Sequence, residues 1–171
     1  LVSLLQDTAA AIKLLSPTTN VTATLQYELL SGTHDGTAQW DLLNALEPAL
    51  DVVAITTYPS PHFNDPDAIP ASYYAQLKQH TTKPVIIAES GWPTGGPAVY
   101  GGSEDKQERF LRKFVELTSD LDVEVWIWWF LHDWDGAGYP DFFKTMGLRT
   151  SDGRPKRSWA TWQSLAARSP H

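Results

Sequence analysis

The sequence predicts an α/β fold: four strand-then-helix units with parallel strands, preceded by one helix. Three observations carry that expectation. Short runs rich in β-branched residues recur along the chain, and stretches with apolar residues three and four apart lie between them. Two of the strand runs, Val52-Val53-Ala54-Ile55 and Val85-Ile86-Ile87-Ala88, are almost continuously apolar, as in a sheet covered on both faces. Repeated β-then-α order gives parallel strands with right-handed crossovers.

Taken in order, a helical segment spans Leu1 to Leu15 and stops before Pro17. The first strand is read over Val21 to Tyr27 and the second over Asp51 to Thr57, ended by Tyr58-Pro59. Between them Trp40, Leu43, Leu46 and Leu50 keep helical spacing. The third strand is read over Pro84 to Ala88. After it Ser103 is placed as an N-cap, with Glu104 and Asp105 in a first turn where negative charge suits the helix dipole. Phe110, Phe114 and Leu117 form the apolar stripe of that helix. The fourth strand is read over Val123 to Phe130, and a last helix from about Ser158 to Ala167.

A doubly wound open sheet and a (β/α)8 barrel share this signature. No glycine-rich phosphate loop follows any strand, which weakens the nucleotide-binding version. A complete barrel takes about 250 residues, and at least about 200. On the barrel reading, 171 residues with four units are half a TIM barrel, one (β/α)4 domain over 1-171.

Composition narrows the function. With 42% hydrophobic and 19% charged residues the chain can bury a sizeable core, which argues against disorder. The closest approach to a basic run, Arg154-Pro155-Lys156-Arg157, is too short to suggest nucleic-acid binding, and the net charge of -7 is an ordinary solubility balance. No run reaches the roughly 18 apolar residues of a membrane span. Absence of cysteine removes disulfides, zinc thiolates and thiol nucleophiles. The chain opens at Leu1 without an initiator Met or a signal-peptide pattern, which fits a processed or truncated chain. Eight Trp residues in so small a domain point to a heavy core or a sugar-stacking surface.

Reactive residues of parallel α/β folds lie at the carboxyl ends of strands. Those ends offer Gln26, Tyr27 and Glu28; Thr57, Tyr58 and Pro59; Glu89, Ser90, Gly91 and Trp92; and Trp128, Trp129, His132 and Asp133. Carboxylates with aromatic faces are what glycoside cleavage needs, because the transition state is an oxocarbenium ion and sugar rings stack on aromatics.

Thr82 to Thr94, with Glu89-Ser90-Gly91-Trp92-Pro93 at its heart, resembles the seventh-strand motif of retaining (β/α)8 glycoside hydrolases, closest to the β-1,3-glucanase and glucan transferase group. Asp51 to Pro59 resembles the preceding strand, whose terminal Tyr hydrogen-bonds the nucleophile. Trp126 to Asp133 resembles the eighth strand, whose Trp floors the cleavage subsite. Gly147-Leu148 through Lys156 and Trp159 resembles the tail, in which the last helix packs under the barrel. The resemblance implies that the chain corresponds to strands five to eight, with Glu89 as nucleophile and Tyr58 as its support. It further implies a β-linked polysaccharide substrate, a β-glucan first, no cofactor, and a secreted or periplasmic setting.

The general acid of such enzymes sits in an Asn-Glu pair at the end of strand four, and this sequence has no Asn-Glu. Three arrangements would supply the acid: the rest of a longer enzyme, a second copy closing the barrel with two-fold symmetry, or Glu28 as a local substitute. The open edges of a four-strand sheet predict an oligomer, most simply a dimer. Trp92, Trp128, Trp129, Trp134, His132 and Asp133 are the candidate sugar contacts, with one of Trp128 and Trp129 expected in the core because neighbours on a strand alternate faces. Trp40, Trp159 and Trp162 are expected to be packing residues. His62, His132 and Asp133 make a weak metal set, so no metal is expected. The other main reading is a carbohydrate-binding domain that keeps the aromatics but lacks catalysis.

Overall fold

The structure, a computed structural model, describes residues 1–167. Four strands, β1 (Thr24–Gln26), β2 (Val53–Thr57), β3 (Val85–Ser90) and β4 (Val123–Trp128), form one sheet in the order β1-β2-β3-β4. β1 and β2 pair in parallel with Leu25 opposite Ile55. The amide of Val53 donates to the carbonyl of Pro84 and that of Val85 to the carbonyl of Asp122, so the later strands also start side by side. Each strand neighbours its predecessor in sequence. A doubly wound sheet would reverse its order at a switch point; this one runs without reversal, as a barrel wall does.

The helices are α1 (Val2–Leu15), α2 (Tyr27–Leu30), α3 (Trp40–Leu46), α4 (Ser60–Phe63), α5 (Glu104–Leu117), α6 (Asp141–Lys144) and α7 (Arg157–Ala166). Three details depart from the sequence expectation. β1 is only three residues long, because the chain coils into α2 at Tyr27. β4 stops at Trp128, short of Phe130. The β2–β3 connection holds only α4 and two 3-10 turns, Pro66–Ala68 and Tyr74–Gln79, instead of a long helix. Pro59, Pro61, Pro66 and Pro70 explain that, since each removes an amide donor.

The chain divides into two compact units. The first comprises Leu1–Thr57, Tyr74–Glu89 and Asp120–Ile127. Its core gathers Leu43, Leu46, Ile55, Leu77 and Ile87, all with at most 2% exposure. Lys13 on α1 pairs with Asp51 at 2.7 Å, and Asp51 also accepts the Val21 amide at 2.8 Å, which fixes the entry to β2. Val125 and Ile127 share one face of the edge strand β4 and remain 44% and 45% exposed.

A buried polar network sits at the carboxyl end of β2. The Thr57 hydroxyl donates to Glu28 Oε1 at 2.7 Å and lies 2.8 Å from the Tyr74 hydroxyl. All three residues are 0% exposed. A Thr57→Val substitution keeps the shape and removes this bridge. It is expected to lower stability by about 1–3 kcal/mol, the cost of losing hydrogen bonds to buried polar groups, measured as a shift of the urea midpoint.

Among the described residues, the second unit comprises Tyr58–Tyr73, Ser90–Ser119 and 128–167. Here α5 packs against α7. The Ser103 hydroxyl caps α5 by accepting the Lys106 amide at 3.1 Å. Phe110, Leu111, Phe114 and Leu117 are buried along one stripe of that helix, as the helical period requires.

Candidate active site

Glu89 is the penultimate residue of β3 and is half-buried. Two residues on, Gly91 occupies a point where a side chain would be crowded. A Cβ there would lie 2.7 Å from Met146 Sδ, 3.0 Å from the Trp129 carbonyl oxygen and 3.4 Å from the Tyr58 ring. The glycine of the Glu-Ser-Gly-Trp-Pro motif therefore lets segments following β2, β3 and β4 close on one another. The Trp129 amide donates to the Ser90 carbonyl at 2.9 Å, which carries the β3–β4 pairing one residue beyond β4.

Tyr58 directly follows β2 and is buried, its ring edge-on to Phe142 and Phe143 with centroids 5.9 and 5.2 Å away. Trp129 is half-buried, while His132 and Trp134 are exposed, Trp134 by 51%. Trp134 lies across the backbone of Gly136, where a Cβ would meet its indole at 2.8 Å, and 6.2 Å from the ring of Tyr139. Asp133 Oδ1 accepts from Lys156 Nζ at 2.6 Å and from the Gly147 amide at 2.9 Å. Burial pushes the Asp133 carboxyl above its ordinary range while the Lys156 ammonium beside it pulls the other way. Burial likewise lowers Lys156, against the opposing pull of Asp133.

Three expected site residues lie elsewhere. Trp92 is 0% exposed, its ring tilted against that of Phe110 with centroids 5.1 Å apart and its indole N–H donating to the Gly101 carbonyl. Trp128 is buried against Phe110 and Trp162, and its indole N–H donates to the Met146 carbonyl at 2.8 Å. Neither ring offers a face to a sugar, so both are core residues. Of the Trp128–Trp129 pair, it is Trp128 that the strand turns toward the helices, the alternation expected of neighbouring strand residues.

Glu28 is the third. It is fully buried beside Thr57, so its carboxyl cannot reach a bound glycoside in this conformation. It also follows β1, two strands from β3. Its Oε1 instead accepts the Thr57 hydroxyl in the buried network at the end of β2.

The sequence reading missed two residues that build this region. Gln107 sits on the apolar stripe of α5, fully buried, and its amide donates to the carbonyls of Trp92, Met146 and Gly147 at 2.8, 3.2 and 3.3 Å. A glutamine in step with Phe110, Leu111 and Phe114 was the available signal. Lys156 is the other. Among the described residues no group of three or more His, Asp or Glu side chains is placed to hold a metal ion, and no helix is long and apolar enough to cross a membrane.

The architecture is that of part of a TIM barrel: four parallel strands in sequence order alternating with helical segments. No family model matches the chain, and no curated protein matches it in sequence. Solved structures do match in fold. An endo-laminarinase from Formosa shares 20% identity with a TM-score of 0.68, over 96% of this chain and 53% of its own. A family 17 β-1,3-glucanosyltransferase from Rhizomucor miehei shares 18% with a TM-score of 0.66, over 92% of this chain and 56% of its own. A β-glucuronidase from Ruminococcus gnavus shares 14% with a TM-score of 0.68, over 96% of this chain and 29% of its own. The chain thus spans about half the length of the laminarinase and the glucanosyltransferase and under a third of the glucuronidase.

Proposed function

We propose that the chain is the carboxyl-terminal half of a retaining β-glycoside hydrolase, its strands corresponding to five through eight of the barrel, with a β-glucan as substrate. Glu89 is the nucleophile, Tyr58 its support, and Trp129, His132 and Trp134 the sugar contacts. The observation that carries this reading is Glu89 near the carboxyl end of β3, two residues before a glycine at which an added Cβ would meet Trp129 and Tyr58. The β-1,3-glucan enzymes among the structural neighbours support the substrate class. The general acid comes from outside these four units. Either the preceding half of a longer enzyme or a second copy would cover the exposed Val125–Ile127 face. A dimer mass by light scattering at micromolar concentration supports the second copy, and a monomer mass removes it.

The burial of Glu28 favours one other reading, a domain that binds β-glucan without cleaving it. A panel of β-1,3-glucan, β-1,4-glucan and mannan, assayed for reducing ends and for quenching of tryptophan fluorescence, separates the two. Release from the β-1,3-glucan is the expected result. Binding without release leaves the binding domain, and neither response discards both readings.

A further inference from the structure

Lys156 is 5% exposed and immediately precedes α7, yet none of the proposed chemistry uses it. An ammonium has three N–H donors, and here each has a partner: Thr94 Oγ1 at 2.7 Å, Asp133 Oδ1 at 2.6 Å and the Thr145 carbonyl at 3.1 Å. Those acceptors belong to three different loops. Thr94 lies five residues after Glu89. Asp133 stands between His132 and Trp134. Thr145 ends α6 and closes the segment that carries Tyr139.

The loops also bond to one another around this charge. Thr94 N donates to the Thr145 carbonyl at 2.9 Å, Gly95 N to Thr145 Oγ1 at 3.1 Å, and Gly147 N to Asp133 Oδ1 at 2.9 Å. The backbone of Lys156 is itself fixed, because its amide donates to the Leu148 carbonyl at 3.0 Å and α7 packs on α5. Glu104 of α5, which accepts the Arg157 amide at 3.0 Å, is the other carboxylate near the pair.

We infer that Lys156 is a positioning residue: its ammonium, held by the α5–α7 pair, ties the loop after β3 to the loop after β4 and fixes Trp129, His132 and Trp134 for a sugar ring. This rests on the proposed carbohydrate function for its consequence, though not for its geometry. Stability alone is a poor reason for such a group, since a buried ion pair replaced by apolar residues of similar volume often costs nothing. A binding site requires that the side chains touching the ligand be held in place by residues packed and bonded behind them.

The test compares wild type with Lys156→Met, Thr94→Val and the double variant Lys156→Met/Asp133→Asn, by hydrogen exchange across the chain and by fluorescence titration with a β-1,3-gluco-oligosaccharide. Lys156→Met strands a buried carboxylate and is expected to lose global stability as well as loop order. The double variant removes that carboxylate and is expected to recover the wild-type urea midpoint. Its Gly95 and Gly147 amides are nevertheless expected to exchange on the order of tenfold faster, and its sugar affinity to fall roughly tenfold, the equivalent of one strong contact. Thr94→Val, which keeps the charge pair, is expected to speed exchange at Gly147 as well as at Gly95. Wild-type exchange at both loops in the double variant would make Lys156 a mere counter-charge and overturn the inference. If wild type binds no β-1,3-glucan, the functional proposal falls, while the exchange comparison still decides whether Lys156 ties the loops.

Discussion

A Glu89→Gln chain is expected to form no covalent adduct with a 2-fluoro β-glucosyl donor and to lose turnover of an activated aryl β-glucoside by about 10⁴-fold or more, the scale on which deleting a nucleophile acts. The chemistry dictates both readouts. In a retaining enzyme the carboxylate oxygen attacks the anomeric carbon as the bond to the leaving oxygen breaks, and water then hydrolyses the glycosyl ester. Glutamine keeps the size of the side chain and its hydrogen bonding but supplies no anionic oxygen. An aryl leaving group departs as a stabilised phenolate and needs no proton from an acid. The assay therefore reads Glu89 without calling on a general acid. Wild type is expected to gain one glycosyl unit, located on Glu89 by peptide mass. A Glu89→Ala chain given azide is expected to yield the α-glycosyl azide, because a small anion can then attack from the vacated face. Equal turnover by wild type and Glu89→Gln would leave Glu89 as an ordinary strand-end carboxylate and favour the binding-domain reading.

The parts of this molecule legible in the sequence are those governed by short-range periodicity. Val85-Ile86-Ile87-Ala88 reads as a strand and is one, though Ile86 and Ala88 on one of its faces stay only half-buried, and Phe110, Leu111, Phe114 and Leu117 mark one helix face. Ser103 was readable as a cap because its chemistry is local. The β2–β3 connection was misread because repetition of units suggested a helix, while four prolines forbade a long one. The candidate site divides along the same line. A motif placed Glu89 near a strand end, but whether an aromatic ring meets solvent depends on tertiary packing. Trp92 and Trp134 have similar positions after strands; one is sealed beneath Phe110 and the other lies open. Glu28 looked like an acid because it ends a strand, and only the fold shows it turned into the Thr57–Tyr74 network. Lys156 was invisible for the opposite reason. Its partners stand 62, 23 and 11 positions away, and no local pattern announces them.

Gly147→Ala is expected to cost about 3 kcal/mol or more, at the upper end for overpacking because backbone has no rotamer by which to escape. The added Cβ would lie 2.3 Å from both the Asp133 nitrogen and the His132 carbonyl carbon, and 2.6 Å from the Arg149 oxygen. Those atoms are themselves committed: Asp133 N donates to Arg149 O at 2.8 Å, and Trp134 N to Lys144 O at 2.9 Å. Together these contacts pinch the base of the loop from Trp134 to Met146, which carries the exposed Trp134 and Tyr139. Relief must come from parting the two strands of that base, which also draws Asp133 away from Lys156. Gly138→Ala, within the same loop, supplies the comparison. Its φ of +88° strains any side chain, but nothing lies within 4 Å, so its cost is expected to stay at about 1–2 kcal/mol. Urea midpoints of the two variants separate contact from strain. If Gly147→Ala unfolds at the same urea concentration as Gly138→Ala, the base of the loop is not pinched. If it unfolds well below, with faster exchange at Gly95 as well as near residue 147, the loops after β3 and β4 behave as one body, as the three bonds of a single ammonium require.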